Sequence, residues 1–111
     1  MIKVEFNCNL EFFLLSLKVS GHAGQAEPGH DLVCASASIL AYTLASLVDS
    51  SADRLMERPY IKLDEGDAEI TCYPPMRQFG RISSFYTTVR EGFKLLAARY
   101  PEYISYTDVT A

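Results

Sequence analysis

The sequence predicts a two-layer α+β domain: a mostly antiparallel sheet with two helices on one face, in the order ββαββα, with room for a short C-terminal strand. Three observations carry that expectation. Apolar residues alternate with polar ones at the start of the chain and again in its middle. A longer stretch at helical spacing follows each of these regions, and only turn residues separate them. The 111 residues are read as a single domain, 1–111, large enough for one modest core.

The elements follow in order. Ile2, Val4 and Phe6 alternate with Lys3, Glu5 and Asn7, the period of a half-buried strand. Asn7-Cys8-Asn9 reads as a turn. Phe13, Leu15, Leu17 and Val19 then alternate with Ser16, Lys18 and Ser20, which closes a hairpin. From Leu32 the period changes to that of a helix. Val33, Ala37, Leu40, Leu44, Leu47 and Val48 form one stripe, and Leu32, Ala35, Ile39 and Tyr42 form another, so burial on more than one side is expected. Ile61 and Leu63, the acidic turn "DEGD", and Ala68, Ile70 and Cys72 make a second hairpin. The stretch "YPPMRQFG" breaks the strand, since consecutive prolines cannot donate to a ladder. Ile82, Phe85, Val89, Phe93, Leu96 and Tyr100 then line a second amphipathic helix that stops before Pro101. "YISYTDV" supplies the optional last strand.

Composition narrows the class. A hydrophobic share of 49% with 22% charged residues is that of a soluble globular protein. The net charge of −4 is spread without basic blocks, which argues against nucleic acid as a direct partner. No apolar run is read as a membrane span. The opening "MIKVEFNCNLEFF" is too interrupted by polar residues for a signal peptide. Three widely spaced cysteines suggest no disulfide framework, and the expected setting is the cytoplasm with reduced thiols.

The chemistry concentrates in "GHAGQAEPGHDLVCASAS", residues 21–38, which holds both histidines and one cysteine. His22 falls just past the second strand. Gly21, Ala23, Gly24, Gln25 and Gly29 belong to a pliable loop that can let backbone approach a ligand. Asp31 is a good N-cap, which would put Cys34 in the first helical turn. There the unpaired N–H groups and the macrodipole favour a thiolate and could hold an oxyanion. A nearby histidine would serve a cysteine nucleophile as base and acid. Ser38, Ala41 and Ala45 keep the Cys34 face narrow enough for a peptide to lie along it. Each residue also has a plain structural reading: Cys34 as a buried small hydrophobe, His22 as a strand-end residue, Asp31 as a cap. The residue types alone leave these open.

Gly21, His22, Ala23 and Gly24, then Gly29, Asp31, Val33, Cys34 and Ala35 in fixed order before a small-residue helix, resemble the ribosomal-processing cysteine protease (Prp) family over the whole chain. Gln25 and Ser36 depart from that family's pattern. The resemblance implies a cysteine endopeptidase that removes a short N-terminal extension from a large-subunit ribosomal protein, cutting after an aromatic residue and so supporting ribosome assembly. It implies a small homodimer with no metal or cofactor. Cys34 would be the nucleophile and His22 the base, with Asp31 and Ser38 in support. His30 would be a loop residue, and Gln25 to Gly29 the segment that moves over bound peptide.

Three alternatives stand beside this reading. A metal site could draw on His22, His30 and Cys34 with Cys8 or Cys72, although the close cysteine pairs of structural zinc sites are absent. A redox thiol would need a resolving partner near Cys34. A noncatalytic ribosome-associated module could use the same groove for binding alone.

Overall fold

The structure, a computed structural model, describes residues 1–22 and 28–109, and within these the side chains of all but 28–31. The elements are β1 (Ile2–Asn9), β2 (Leu14–Ser20), α1 (Pro28–Ser50), a short 3-10 turn (Ala52–Arg54), β3 (Tyr60–Asp64), β4 (Asp67–Cys72), α2 (Met76–Arg99) and β5 (Ile104–Val109). The strands form one sheet in the order β3-β4-β2-β1-β5. All pairings are antiparallel except that of β5, which runs parallel to β1. The expected α+β architecture is present, and the optional last strand is a full edge strand.

Period-two alternation sets the faces of this sheet. Ile2, Val4 and Phe6 point to the helices, as do Leu15, Leu17, Ile70 and Cys72, while Lys3, Glu5, Lys18 and Glu69 point away. On the open face Ser16 and Thr71 share a hydrogen bond of 2.9 Å across β2 and β4. From α2, Phe79, Ile82, Tyr86, Val89 and Phe93 are buried against the sheet. Tyr86, absent from the expected stripe, is fully buried, and its hydroxyl donates to the Ile70 carbonyl at 3.0 Å and reaches Cys72 Sγ at 3.5 Å. A buried phenol needs such a partner, and helical spacing alone does not show where one stands.

Three expectations are corrected. First, Asn7-Cys8-Asn9 is strand, paired with Leu14–Ser16, and the reversal falls at residues 10–13. Asn9 Oδ1 accepts a hydrogen bond from the Phe12 N–H at 3.2 Å, and Phe13 takes a φ of 50° to re-enter the sheet. Second, α1 begins at Pro28, three residues before the expected cap Asp31. Proline suits a first helical position, because its fixed φ fits the helix and its missing N–H would have been unpaired there. Third, α1 buries a single stripe of Val33, Ala37, Ala41, Leu44, Ala45 and Val48, whereas Leu32, Ile39 and Tyr42 are more than half exposed. One sheet and one neighbouring helix can cover only part of its circumference.

The apolar density of α1 also corrects the reading that no stretch could span a membrane. Leu32–Ser50, 19 residues with a mean hydropathy of 1.7, is long and apolar enough to do so. In this fold its buried stripe packs on β4, β3 and α2.

Candidate active site

The chain leaves β2 at Ser20, which sits opposite Lys3 of β1 on one side and Asp67 of β4 on the other. That register delivers the next two residues to the β3–β4 turn. Gly21 has a φ of 91°, in the left-handed region, and a side chain here would overlap the Met1 carbonyl oxygen. Its N–H donates to the Gly66 carbonyl at 2.9 Å. His22 follows, exposed at the mouth of a cleft.

This cleft, about 430 Å³, lies between α1 and the β3–β4 hairpin. Ile2, Val19 and Ala68 lie at its sheet side. Cys34, Ala37, Ser38, Ala41 and Tyr42 come to it from α1, at the i, i+3, i+4, i+7 and i+8 positions of one helix face. Two alanines in that row keep the wall low, so the space runs lengthwise along the helix. The opposite wall is Leu63 to Asp67.

His22, Cys34 and Ser38, expected to work together, therefore border one space. Cys34 is half-buried and Ser38 exposed. Ala23, Gly24 and Gln25 lie outside the described residues. Gly29 and His30, expected in the loop, fall instead within α1, as does Asp31, and the supporting role expected for Asp31 rests on a side chain outside those described.

One part of the expected chemistry changes. With α1 starting at Pro28, Cys34 is the seventh residue of the helix and not part of its first turn. The N–H groups that a helix leaves unpaired, and the strongest part of its dipole, belong to that first turn. Activation of Cys34 by the helix end, and oxyanion binding by the N–H groups around it, lose their geometric basis. What Cys34 retains is an open, polar-rimmed setting.

The other two thiols are set apart from it. Cys8 and Cys72 both stand in register with Leu15, at the far end of β2 from Ser20. Five strand residues separate the ends, roughly 17 Å. Burial pushes both thiols above their ordinary value, offset in part by Arg90 for Cys8 and by the Tyr86 hydrogen bond for Cys72. Neither is poised as a nucleophile. Among the described residues no three of His, Cys, Asp and Glu converge as metal ligands.

The hairpin wall was not singled out from the sequence as part of the site. "DEGD" reads as a turn, but its place beside His22 depends on the pairing of β4 with β2, a contact between residues far apart in the chain. The turn is braced by Lys62, whose ammonium lies 2.5 Å from Asp67 and 4.0 Å from Asp64. The hydrogen bond to Asp67, then that residue's charge, raises the Lys62 pKa. Asp64, Glu65 and Asp67 give this rim an acidic character only partly offset by the lysine.

A thiol and an imidazole bordering one elongated cleft are the equipment of a cysteine peptidase. The comparison with protein families assigns the chain further: it belongs to the cysteine protease Prp family, whose model matches residues 1–105. Among solved structures, SMU.848 from Streptococcus mutans is similar at 24% identity and a TM-score of 0.75, covering 100% of this chain and 96% of that one. The essential ribosomal processing protease Prp from S. aureus, in complex with a substrate peptide, is similar at 23% identity and a TM-score of 0.73, covering 98% and 100%. The same protease with a covalently linked product peptide is similar at 22% identity and a TM-score of 0.71, again covering 98% and 100%. At such identities these likenesses speak for the fold. No curated protein matches the chain.

Proposed function

We propose that this cysteine protease removes a short N-terminal extension from a large-subunit ribosomal protein, using Cys34 as nucleophile and His22 as its base. The observation that carries the reading is the shared cleft: in a chain of this family, His22 from the end of β2 and Cys34 from α1 border the same elongated space. The similar structure from S. aureus, a ribosomal processing protease in complex with a substrate peptide, supports a peptide substrate and a role in ribosomal processing.

In the first half-reaction His22 takes the Cys34 proton while the sulfur adds to the scissile carbonyl. The tetrahedral intermediate then collapses. The C–N bond breaks, the leaving amine receives the proton from His22, and the acyl group remains on Cys34 as a thioester. In the second half-reaction His22 takes a proton from water as its oxygen adds to the thioester carbon; the C–S bond then breaks, the acyl fragment leaves as a carboxylic acid, and His22 returns its proton to the Cys34 sulfur. Ser38, one turn beyond Cys34, adds a hydroxyl to the polar side of the cleft. Ala37 and Ala41 leave room for the peptide backbone. No cofactor takes part. A homodimer working in the cytoplasm completes the proposal.

The test is digestion of a peptide carrying the extension, under reducing conditions, followed by mass spectrometry. Wild-type protein should give two fragments from a single cut after an aromatic residue. Cys34→Ser and His22→Ala should each lower the rate by at least about 10³-fold, as expected for members of a unit that act together. An intact peptide after prolonged incubation with the wild type, or a Cys34→Ser variant that still cuts, overturns the reading. Binding of the peptide without cleavage by the wild type would mark a docking module instead.

A further inference from the structure

Gly66 stands at the tip of the β3–β4 turn with a φ of 73°. A Cβ built on it would lie 2.5 Å from both Cε1 and Nε2 of His22 and 3.3 Å from Nδ1. The imidazole is therefore seated directly against the Gly66 backbone, in space that a side chain of any other residue would occupy. A second contact joins the same two segments, since the Gly66 carbonyl accepts the N–H of Gly21, the residue before His22. The end of β2 thus supplies the backbone of the histidine, and the β3–β4 turn backs one edge of its ring. The Lys62 pairs with Asp67 and Asp64 brace that turn.

We propose that Gly66 is a positioning residue for the cysteine protease reaction: it fixes where the His22 ring stands at the cleft by backing it with bare backbone. The inference rests on the reading of His22 as the base. An imidazole on a residue at the open end of a strand has free rotation about two side-chain bonds, and proton transfer needs it within hydrogen-bond reach of the thiol. A wall at one edge of the ring removes part of that freedom, whereas a methyl group at the wall would drive the ring off its position. Displacements of about 1 Å at a catalytic group can cost on the order of 10²-fold in rate.

The experiment uses Gly66→Ala and Gly66→Asn in the full chain. Both add the Cβ that overlaps the ring, but asparagine tolerates a left-handed backbone far better than alanine. Against the peptide substrate, both should lose about 10²-fold in kcat with KM within about threefold of wild type. The asparagine variant should also melt closer to wild type than the alanine variant. A structural role alone would make kcat follow the melting temperature. An asparagine variant with wild-type kcat overturns the proposal.

A second measurement needs no variant. In the wild-type protein, proton NMR should show a nuclear Overhauser effect between the Gly66 Hα and the His22 Hε1. Its absence overturns the proposal even if both variants fail to fold. Because this readout does not involve peptide cleavage, it separates the two claims. A wild type that shows the contact but cuts nothing would remove the protease reading and leave the His22–Gly66 packing in place.

Discussion

Single residues decide both the chemistry and the alkaline limit of this fold. The three cysteines have different surroundings: Cys34 borders the cleft, and Cys8 and Cys72 sit at the opposite end of the sheet. Cys72 and Tyr86 form a buried pair beneath α2, and burial holds each above its ordinary value, 9.0 for the thiol and 10.0 for the phenol. Both groups therefore keep their protons in the folded chain at pH values where the unfolded chain releases them. The unfolded state then binds fewer protons, so the contribution of this pair to stability is fully present below about pH 9 and is lost as the pH rises above it. Melting temperatures measured from pH 7 to 11 should fall above pH 9 in the wild type. The double variant Cys72→Ala, Tyr86→Phe should start less stable by about 1 kcal/mol or more, having lost the hydrogen bond to the Ile70 carbonyl, and decline less steeply. Equal slopes would show that this pair does not set the alkaline limit. Of the site residues, His22, Cys34 and Ser38 were legible because a strand end, a helix face and a spacing of four can be read from sequence. Gly66 was not, because nothing local to "DEGD" says which side chain it will meet.

At the level of elements, the boundaries moved more than the elements did. The alternation of β1 and β2 and the helical spacing of α1 and α2 were plain, since burial on one face writes its period into the sequence. The start of α1 was misplaced because Asp31 is a good cap by type, while Pro28 is a good first residue by conformation, and the proline marks where the helix starts. The β1–β2 reversal was misplaced because Asn7 and Asn9 both favour turns, and only the bond from Phe12 to Asn9 identifies the one that serves. The junction between β2 and the site depends on Gly21. Gly21→Ala puts an L-residue at a φ of 91° and a methyl group into the Met1 carbonyl. A loss of about 1–3 kcal/mol in urea denaturation is expected, together with weakened peptide cleavage, because His22 follows directly. Wild-type stability and activity in that variant would show that the strand end does not need glycine.

Across the whole molecule, the cleft exists because sheet order brings distant parts of the chain together. β4 pairs with β2, which places the β3–β4 turn beside the end of β2, and α1 crosses above them with its alanine-rich face inward. At the other edge β5 pairs in parallel with β1. There Arg90 of α2 lies 5.1 Å from the centre of the Phe6 ring and 3.6 Å from Asp108, which also accepts the Tyr106 hydroxyl. The sequence showed which faces are apolar but not which strands are neighbours, since pairing partners share no local signal. The class of fold was thus readable, and the far wall of the site was not. The central claim, that Cys34 is the nucleophile and His22 activates it, is tested most directly by active-site labelling. A peptide chloromethyl ketone ending in the aromatic residue before the cleavage site should add once to the wild-type protein at neutral pH, and peptide mapping should place it on Cys34. His22→Ala should slow that addition by about 10²-fold or more. Labelling on Cys8 or Cys72, or labelling of Cys34 at an unchanged rate without His22, would contradict the account.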